Sequence, residues 1–160
     1  MEAFFEWLSD TGLATAVREN EMLFPWLESV HVLALTVVVG SIAIVDLRLL
    51  GIASRKRPIS VLMKEILPIT WVAFAVALFT GAMMFISQAS TYAGNFYFQV
   101  KMALLTLAGI NVLVFHTLTA RSVAQWDRTE VVPTAVRAAG ISSLLLWTGV
   151  VVFGRWIGFT

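Results

Sequence analysis

The chain has 160 residues, of which 59% are apolar and only 13% are charged, against about 25% charged residues in typical soluble chains. This composition excludes a soluble enzyme, a disordered chain and a disulfide scaffold, and the net charge of +1 without a basic stripe argues against nucleic acid as a partner. No cysteine is present, which excludes thiolate metal sites and cysteine nucleophiles. A small polytopic membrane protein remains.

The first segment, residues 1–22, begins MEAFFEWLSD and is therefore acidic and aromatic. A signal peptide would begin basic and continue as an apolar run, so this segment is not one. Phe4, Phe5, Trp7 and Leu8 can share one face of a short helix lying on the membrane surface. We predict an amphipathic interfacial segment here, and its acidity favours a protein partner over anionic lipid.

Residues 23–160 form the second predicted unit, which contains four long apolar runs. Each run approaches the length of about 20 residues that crosses a hydrocarbon core, and such a run must satisfy its backbone as a helix. The predicted fold class is therefore an all-α membrane protein, a four-transmembrane-helix bundle with an N-terminal interfacial helix. We predict the spans at roughly Phe24–Leu49, Ile66–Gln88, Val100–Ala120 and Arg137–Phe159.

The basic residues predict the orientation of the bundle. Those near the ends of spans one and three are Arg48, Arg55, Lys56, Arg57, Lys64, Arg121, Arg128 and Arg137. The opposite side carries mainly carboxylates, namely Glu2, Glu6, Asp10, Glu19, Glu21 and Glu28. The positive-inside rule then places both basic connections in the cytoplasm and both termini outside, in the periplasm of a bacterial inner membrane.

Polar residues inside the spans indicate function, because ionisable groups are rare at membrane depth. Span one supplies Glu28 and His31 on one helix face, and spans three and four supply Lys101 and Arg155. Because neighbouring spans run in opposite directions, we expect these side chains at one outer depth. Two soft side chains of span two reach the same depth, Met83 and Met84.

A second, inner layer contains Asp46, Arg48 and His116. His31 and Asp46 are 15 residues apart, a rise of about 22 Å along a helix, so the layers are separate. We therefore expect that His31 and His116 do not ligate one metal together. Asp46 and Arg48 are interpreted as capping span one or pairing with the basic connection, and His116 as an interfacial residue.

The outer layer suits a redox cofactor. A neutral imidazole is a good axial ligand of haem iron, methionine is a common second ligand, and Lys101 and Arg155 could balance propionate charge. A quinone headgroup could instead use His31 and Lys101 as hydrogen-bond partners. In the structural alternatives, Glu28 forms a salt bridge with Lys101 or Arg155, the two cations extend to the interface, and His31 makes an interhelical hydrogen bond.

Two segments carry a resemblance to a known family. The segment LESVHVLALTVVVGSIAIVDLRLLG resembles the first conserved span of HemJ-type protoporphyrinogen oxidases and spans of the copper-resistance D family, and FQVKMALLTLAGINVLVFH resembles their span that opens with a lysine. The opening FPWLESVHVLAL is also similar to that of other small four-helix bacterial membrane proteins. The resemblance implies that His31 and Lys101 match the family's essential histidine and lysine, and that a haem b site lies at this layer.

Three functional hypotheses follow. The first is a haem-b-binding or quinone-proximal membrane protein of electron transfer, with His31 as the metal ligand and Glu28, Met83, Met84, Lys101 and Arg155 around the cofactor. The second is a cofactor-free accessory subunit in the bilayer that associates with other membrane subunits or with copies of itself. The third is copper handling through the two methionines and His31, which metal analysis of the purified protein would separate from haem binding.

Overall fold

The computed structural model describes residues 2–54, 56–119, 123, 127 and 132–159. Every regular element within these ranges is helical. Three of the basic residues used above to predict orientation lie outside the described residues, namely Arg55, Arg121 and Arg128, and so does the predicted end of span three at Ala120.

Seven α-helices follow one another in the described parts of the chain. They are α1 (Glu2–Ser9), α2 (Gly12–Glu19), α3 (Leu23–Leu49), α4 (Ile59–Ser87), α5 (Ala89–Gly94), α6 (Phe96–Val114) and α7 (Thr134–Trp156). A π-helical turn, Phe115–Thr119, continues α6, and a 3-10 turn, Ile157–Phe159, ends α7. The helices α3, α4, α6 and α7 are long and apolar enough to cross a membrane, which confirms the prediction of an all-helical chain with four such helices.

All four long helices begin earlier than the apolar runs indicated, and the differences are largest for α4 and α6. The helix α4 begins at Ile59 instead of Ile66, directly after Pro58, and its early residues Lys64 and Glu65 are exposed. Pro68 therefore lies inside α4, where it removes one backbone hydrogen bond. Hydropathy locates the apolar stretch of a helix, whereas its polar first turns extend beyond that stretch.

The helix α6 begins at Phe96 because of a side-chain cap. The Asn95 side-chain oxygen accepts a hydrogen bond from the backbone N–H of Phe98 at 3.1 Å. Asparagine is a preferred residue at this position, since its side chain satisfies a donor that the first turn leaves free. The cap adds a turn before the predicted start at Val100.

The long helices form two antiparallel pairs. In the first pair, Nδ1 of His31 on α3 lies 2.9 Å from the carbonyl oxygen of Ala77 on α4, and the Ser41 hydroxyl lies 2.7 Å from that of Thr70. Partners later in α3 are thus earlier in α4, as antiparallel packing requires. The second pair joins α6 to α7, and contacts between α3 and α7 join the two pairs.

Two buried apolar clusters fill the bundle at different depths. The mid-depth cluster consists of Val38, Ala73, Ala108, Trp147 and Val150, one or two residues from each long helix. The inner cluster lies near the connections after α3 and α6 and consists of Leu49, Ile59, Leu62, Phe115 and Val136. Neither cluster fills the opposite, outer end of the bundle, where α3 begins and α4 ends.

The N-terminal helices pack against this outer end. The Ser9 hydroxyl accepts a hydrogen bond from the N–H of Ala89 at 2.9 Å, and Arg18 donates to the carbonyl oxygens of Ser9 and Ser87 at 3.1 and 3.2 Å. Of the predicted apolar face, Phe5 packs edge-on against Phe85, whereas Phe4 and Trp7 are exposed. The segment 1–22 therefore contacts the bundle through one face and exposes its aromatic residues on another.

We expect Ser9→Ala to loosen this contact. Ala89 is fully buried, and the substitution leaves its N–H without an acceptor, which costs about 1–3 kcal/mol. The measurement is the Tm of the full-length protein in detergent, together with the rate of proteolysis within residues 1–22. Ser29→Ala is the control, because the Ser29 hydroxyl is exposed and donates only within its own helix, to Pro25. Equal Tm values and cleavage rates for the two variants would contradict the docking role of Ser9.

Candidate functional site

A cavity of about 760 Å³ lies at the outer end of the bundle, between the four long helices. We call it the outer cavity. Its polar or soft lining side chains are Glu28, His31, Thr36, Met84, Tyr92, Lys101 and Arg155. The structure thus brings five of the six predicted site residues together, from four separate helices; Met83 is half-buried and is not among the residues that line the cavity.

His31 is held in the cavity wall by its Nδ1 atom. Nδ1 lies 2.9 Å from the carbonyl oxygen of Ala77 and 3.0 Å from the hydroxyl oxygen of Thr80. A carbonyl oxygen only accepts hydrogen bonds, so Nδ1 carries the hydrogen and donates it to Ala77. Nε2 of the neutral ring then keeps its lone pair, and this atom is buried without a hydrogen-bond partner among the described residues. A histidine fixed in this way by a backbone carbonyl is the usual arrangement of a metal ligand.

Gly81 makes the close approach of the His31 ring to α4 possible. A Cβ atom at this position would lie 2.9 Å from Cε1 and 3.4 Å from Nδ1 of His31. Any larger residue would therefore displace the ring or the helix. In the sequence, Gly81 is one of several span glycines that could permit close helix approach. Only the structure shows that its partner is His31, 50 positions away in the chain.

Lys101 reaches the cavity from α6 by passing over a glycine of α7. Its Cδ and Cε atoms would be 3.5 Å from a Cβ atom at Gly154, so the absence of a side chain there leaves room for the lysine. Lys101 is half-buried and is close enough to His31 to interact with it electrostatically. Its positive charge therefore belongs to the same site as the free Nε2 atom.

An aromatic wall closes the cavity beside Glu28. The rings of Phe85 and Phe98 are stacked with centroids 5.2 Å apart, and the Tyr92 ring lies 5.8 Å from that of Phe98. Burial raises the pKa of the Tyr92 phenol, and the nearby carboxylate of Glu28 raises it further. Tyr92 therefore stays a hydrogen-bond donor at neutral pH. Tyr92 is not one of the six site residues predicted from the sequence.

Arg155 lies at the rim of the cavity. Its guanidinium carbon is 4.7 Å from the centroid of the Phe159 ring, a cation–π distance, and the side chain is exposed. Among the described residues, the single ion pair joins Arg57 to Glu65 at 3.4 Å. The alternative in which Glu28 forms a salt bridge with Lys101 or Arg155 is therefore not the arrangement found.

A second, smaller cavity of about 80 Å³ lies toward the inner end, and we call it the inner cavity. Its polar lining consists of Asp46, Thr70, Asn111, His116 and Ser143. His31 and His116 thus line different cavities, in keeping with the predicted separation of the layers.

The partner that the structure gives Asp46 is not one of those expected. Its side chain is buried and hydrogen-bonded to Ser143 of α7, and it forms no ion pair with a described basic residue. Three arginines of the basic connections, Arg55, Arg121 and Arg128, lie outside the described residues. The Arg48 side chain does serve the connection after α3, because its Nε donates to the carbonyl oxygen of Arg57 at 2.9 Å. Asn111, which also lines the inner cavity, is recognisable in the sequence as an amide within an apolar run.

One family model matches the chain, with the description "Family of unknown function (DUF6644)", over residues 4–160. The chain belongs to the DUF6644 family. Comparison with curated proteins and comparison with solved structures each gave no significant match. The DUF6644 match includes the docked helices α1 and α2 as well as the four long helices, so both cavities lie within the family unit.

Proposed function

We propose that this protein is a membrane electron-transfer protein that holds haem b in the outer cavity, with Nε2 of His31 as an axial ligand. The observation that carries this proposal is the hydrogen bonding of that ring: Nδ1 donates to the carbonyl oxygen of Ala77, whereas Nε2 is buried and has no partner in the described parts of the chain. Leaving such an atom unsatisfied is costly, and binding iron would satisfy it.

The lining of the cavity fits a porphyrin better than a bare metal ion. Among the described residues, no three histidine, cysteine, aspartate or glutamate side chains converge on one point, as a metal held by the protein alone would need. A porphyrin supplies four ligands itself, so one or two protein ligands are enough. The volume of about 760 Å³ lies within the usual range of cofactor pockets.

The charged groups of the cavity also suit this cofactor. Lys101 and Arg155 are cations without a carboxylate within 4.0 Å among the described residues, and they could receive the two propionates. Met84 lines the same cavity and is the candidate for a second axial ligand. When bound, haem supplies one-electron transfer through its iron; Glu28 and Tyr92 would hydrogen-bond to it or to water at the rim.

The resemblance of spans one and three to HemJ-type proteins supports the same two residues, His31 and Lys101. It supports a haem b site in this chain and does not extend to the oxidase activity. The experiment is a reduced-minus-oxidised spectrum of the protein purified from membranes. The proposal predicts a haem b spectrum in the wild type, and a protein that contains no haem under conditions of sufficient haem supply would contradict it.

A quinone is the second candidate ligand, and a separate observation favours it. Val32 of α3 and Val151 of α7 line the outer cavity, and yet 55% and 43% of their respective surfaces are exposed. The cavity therefore extends to the lipid-facing surface between these two helices, where a ligand dissolved in the bilayer could enter. Solvent extraction of the purified protein distinguishes the two: quinone without haem would favour this candidate over haem b.

We further propose that the chain spans a bacterial inner membrane with both termini and the outer cavity on the periplasmic side. The support is the positive-inside rule together with the exposed basic residues Lys56 and Arg57 after α3. Because the chain has no cysteine, a single one can report the side of the membrane. We expect an impermeant thiol reagent applied to whole cells with a permeable outer membrane to label Glu21→Cys and spare Lys56→Cys, both exposed positions. The reverse labelling would contradict the orientation.

A further inference from the structure

The inner cavity is built like a small water site around one carboxyl group. It is lined from all four long helices, and its volume of about 80 Å³ is enough for a few water molecules. Five polar side chains line it, namely Asp46, Thr70, Asn111, His116 and Ser143. Such a concentration of polar groups is unusual in a bundle whose other buried clusters are apolar.

Asp46 is the group that this arrangement leaves unsatisfied. Its side chain is only 4% exposed and is hydrogen-bonded to the Ser143 side chain. Its Oδ2 atom is buried and has no partner in the described part of the chain. Water in the adjacent inner cavity could therefore supply the hydrogen bond that this oxygen lacks.

Among the described residues, no cation lies in the inner cavity to compensate a negative charge on Asp46. On α3 itself, Arg48 is two residues away, faces another direction and bonds to the carbonyl oxygen of Arg57. On α4 and α7, Lys64 and Arg137 are exposed, outside the lining of the cavity.

The other described residues that carry a charge near this end lie outside the lining of the inner cavity. Glu65 of α4 is exposed and pairs with Arg57, so it does not face Asp46. From α6 and its π-helical continuation, His116 alone faces the cavity with a titratable group. A buried carboxylate without a countercharge is strongly disfavoured relative to the neutral acid, so this environment favours a bound proton.

His116 connects the cavity to the surface at the inner end. It lines the inner cavity but is exposed, and its Nδ1 atom lies 3.0 Å from the carbonyl oxygen of Val112. Nδ1 therefore donates to that carbonyl, and Nε2 is the ring nitrogen that remains for a hydrogen bond to water. Toward the outer end, the mid-depth apolar cluster separates the inner cavity from the outer one. The inner side is therefore the direction that this apolar cluster does not block.

We propose that Asp46 is an intramembrane proton-binding site that exchanges its proton with the inner side through the inner cavity and His116. A proton from cavity water forms the O–H bond on Oδ2, and the same bond breaks when the proton returns to water. This inference does not depend on haem or quinone binding, because it concerns other residues at the opposite end of the bundle.

The test is infrared spectroscopy of the full-length protein in lipid at neutral pH. We expect the carbonyl stretch of a protonated carboxylic acid, sensitive to exchange into D2O, and we expect Asp46→Asn to remove it. Glu65→Gln is the matched control, since that carboxylate is exposed and paired, and the band should remain. Ser143→Ala tests the assignment without removing the carboxyl: the same band should persist at a higher frequency, because its hydrogen bond is lost.

The route is tested by His116→Ala, which should leave the band in place but slow its exchange into D2O by at least about tenfold. A wild-type spectrum without the band, or a band that Asp46→Asn leaves unchanged, would overturn the proton site. Exchange at the wild-type rate in His116→Ala would overturn the route. Loss of the band on addition of sodium ions at fixed pH would replace the proton site with a cation site.

Discussion

His31→Ala is expected to remove the haem b spectrum of the purified protein almost completely. The wild-type ring presents Nε2 as a fixed lone pair, since Nδ1 is bonded to Ala77 and Thr80, and no other histidine lines the outer cavity. Loss of an axial ligand should lower the haem content by more than the 10–100-fold typical of losing a residue that only orients a ligand. The measurement is haem per polypeptide from the pyridine haemochrome spectrum.

Two further measurements separate ligation from folding. His116→Ala should keep full haem content, because that side chain lines the inner cavity alone. His31→Gly reconstituted with haem in the presence of imidazole should recover the spectrum, since free imidazole can occupy the place of the missing ring. If His31→Ala has the wild-type Tm and an unchanged haem spectrum, this result would contradict the assignment of His31 as the ligand.

Gly81→Ala is expected to have the second largest effect, although alanine adds only a methyl group. That methyl carbon would lie 2.9 Å from Cε1 of His31, a separation that real Cβ atoms do not show. The ring cannot withdraw without lengthening its hydrogen bond to Ala77, so the direction of Nε2 must change. We expect haem affinity to fall by about 10–100-fold, the range seen when groups that orient a ligand are lost.

The control for Gly81→Ala is Gly109→Ala on α6. A Cβ atom at Gly109 would meet no atom within 4 Å, and this glycine is not among the residues that line the outer cavity. The two variants share the same gain in helix propensity, so haem titration of the pair isolates the contact with His31. Equal haem affinities would show that the position of the His31 ring does not matter for binding.

Part of the outer site could be predicted from the sequence, because an α-helix has a fixed rise per residue and the adjoining ends of antiparallel spans lie at the same depth. One span carries Glu28 and His31 near its start, and another carries Lys101 near its start. These side chains must lie at the same depth as Met84 and Arg155, which stand near the ends of the other two spans. The structure brings these five residues to one cavity. Depth, however, does not give the rotation of a helix about its axis. The sequence therefore could not show which of the neighbours Met83 and Met84 faces the cavity.

Other parts of the site depend on contacts that no local pattern encodes. Gly81 matters because the His31 ring packs against it, and Tyr92 matters because α5 folds back beside Glu28. Asp46 at the inner end resembled an ordinary helix-terminal carboxylate in a basic region. Its contact with Ser143 of α7, almost 100 positions away, removes it from that region and buries it.

The sequence by itself determined that this chain is helical and has four apolar spans, because the bilayer requires long apolar runs and backbone groups satisfied within each helix. It also determined the depth of each polar residue along its helix. Only the tertiary structure decided which of these residues meet, since that depends on the rotation and pairing of the helices. Within the described residues, those contacts leave Nε2 of His31 and Oδ2 of Asp46 buried without partners, and the two residues line different cavities.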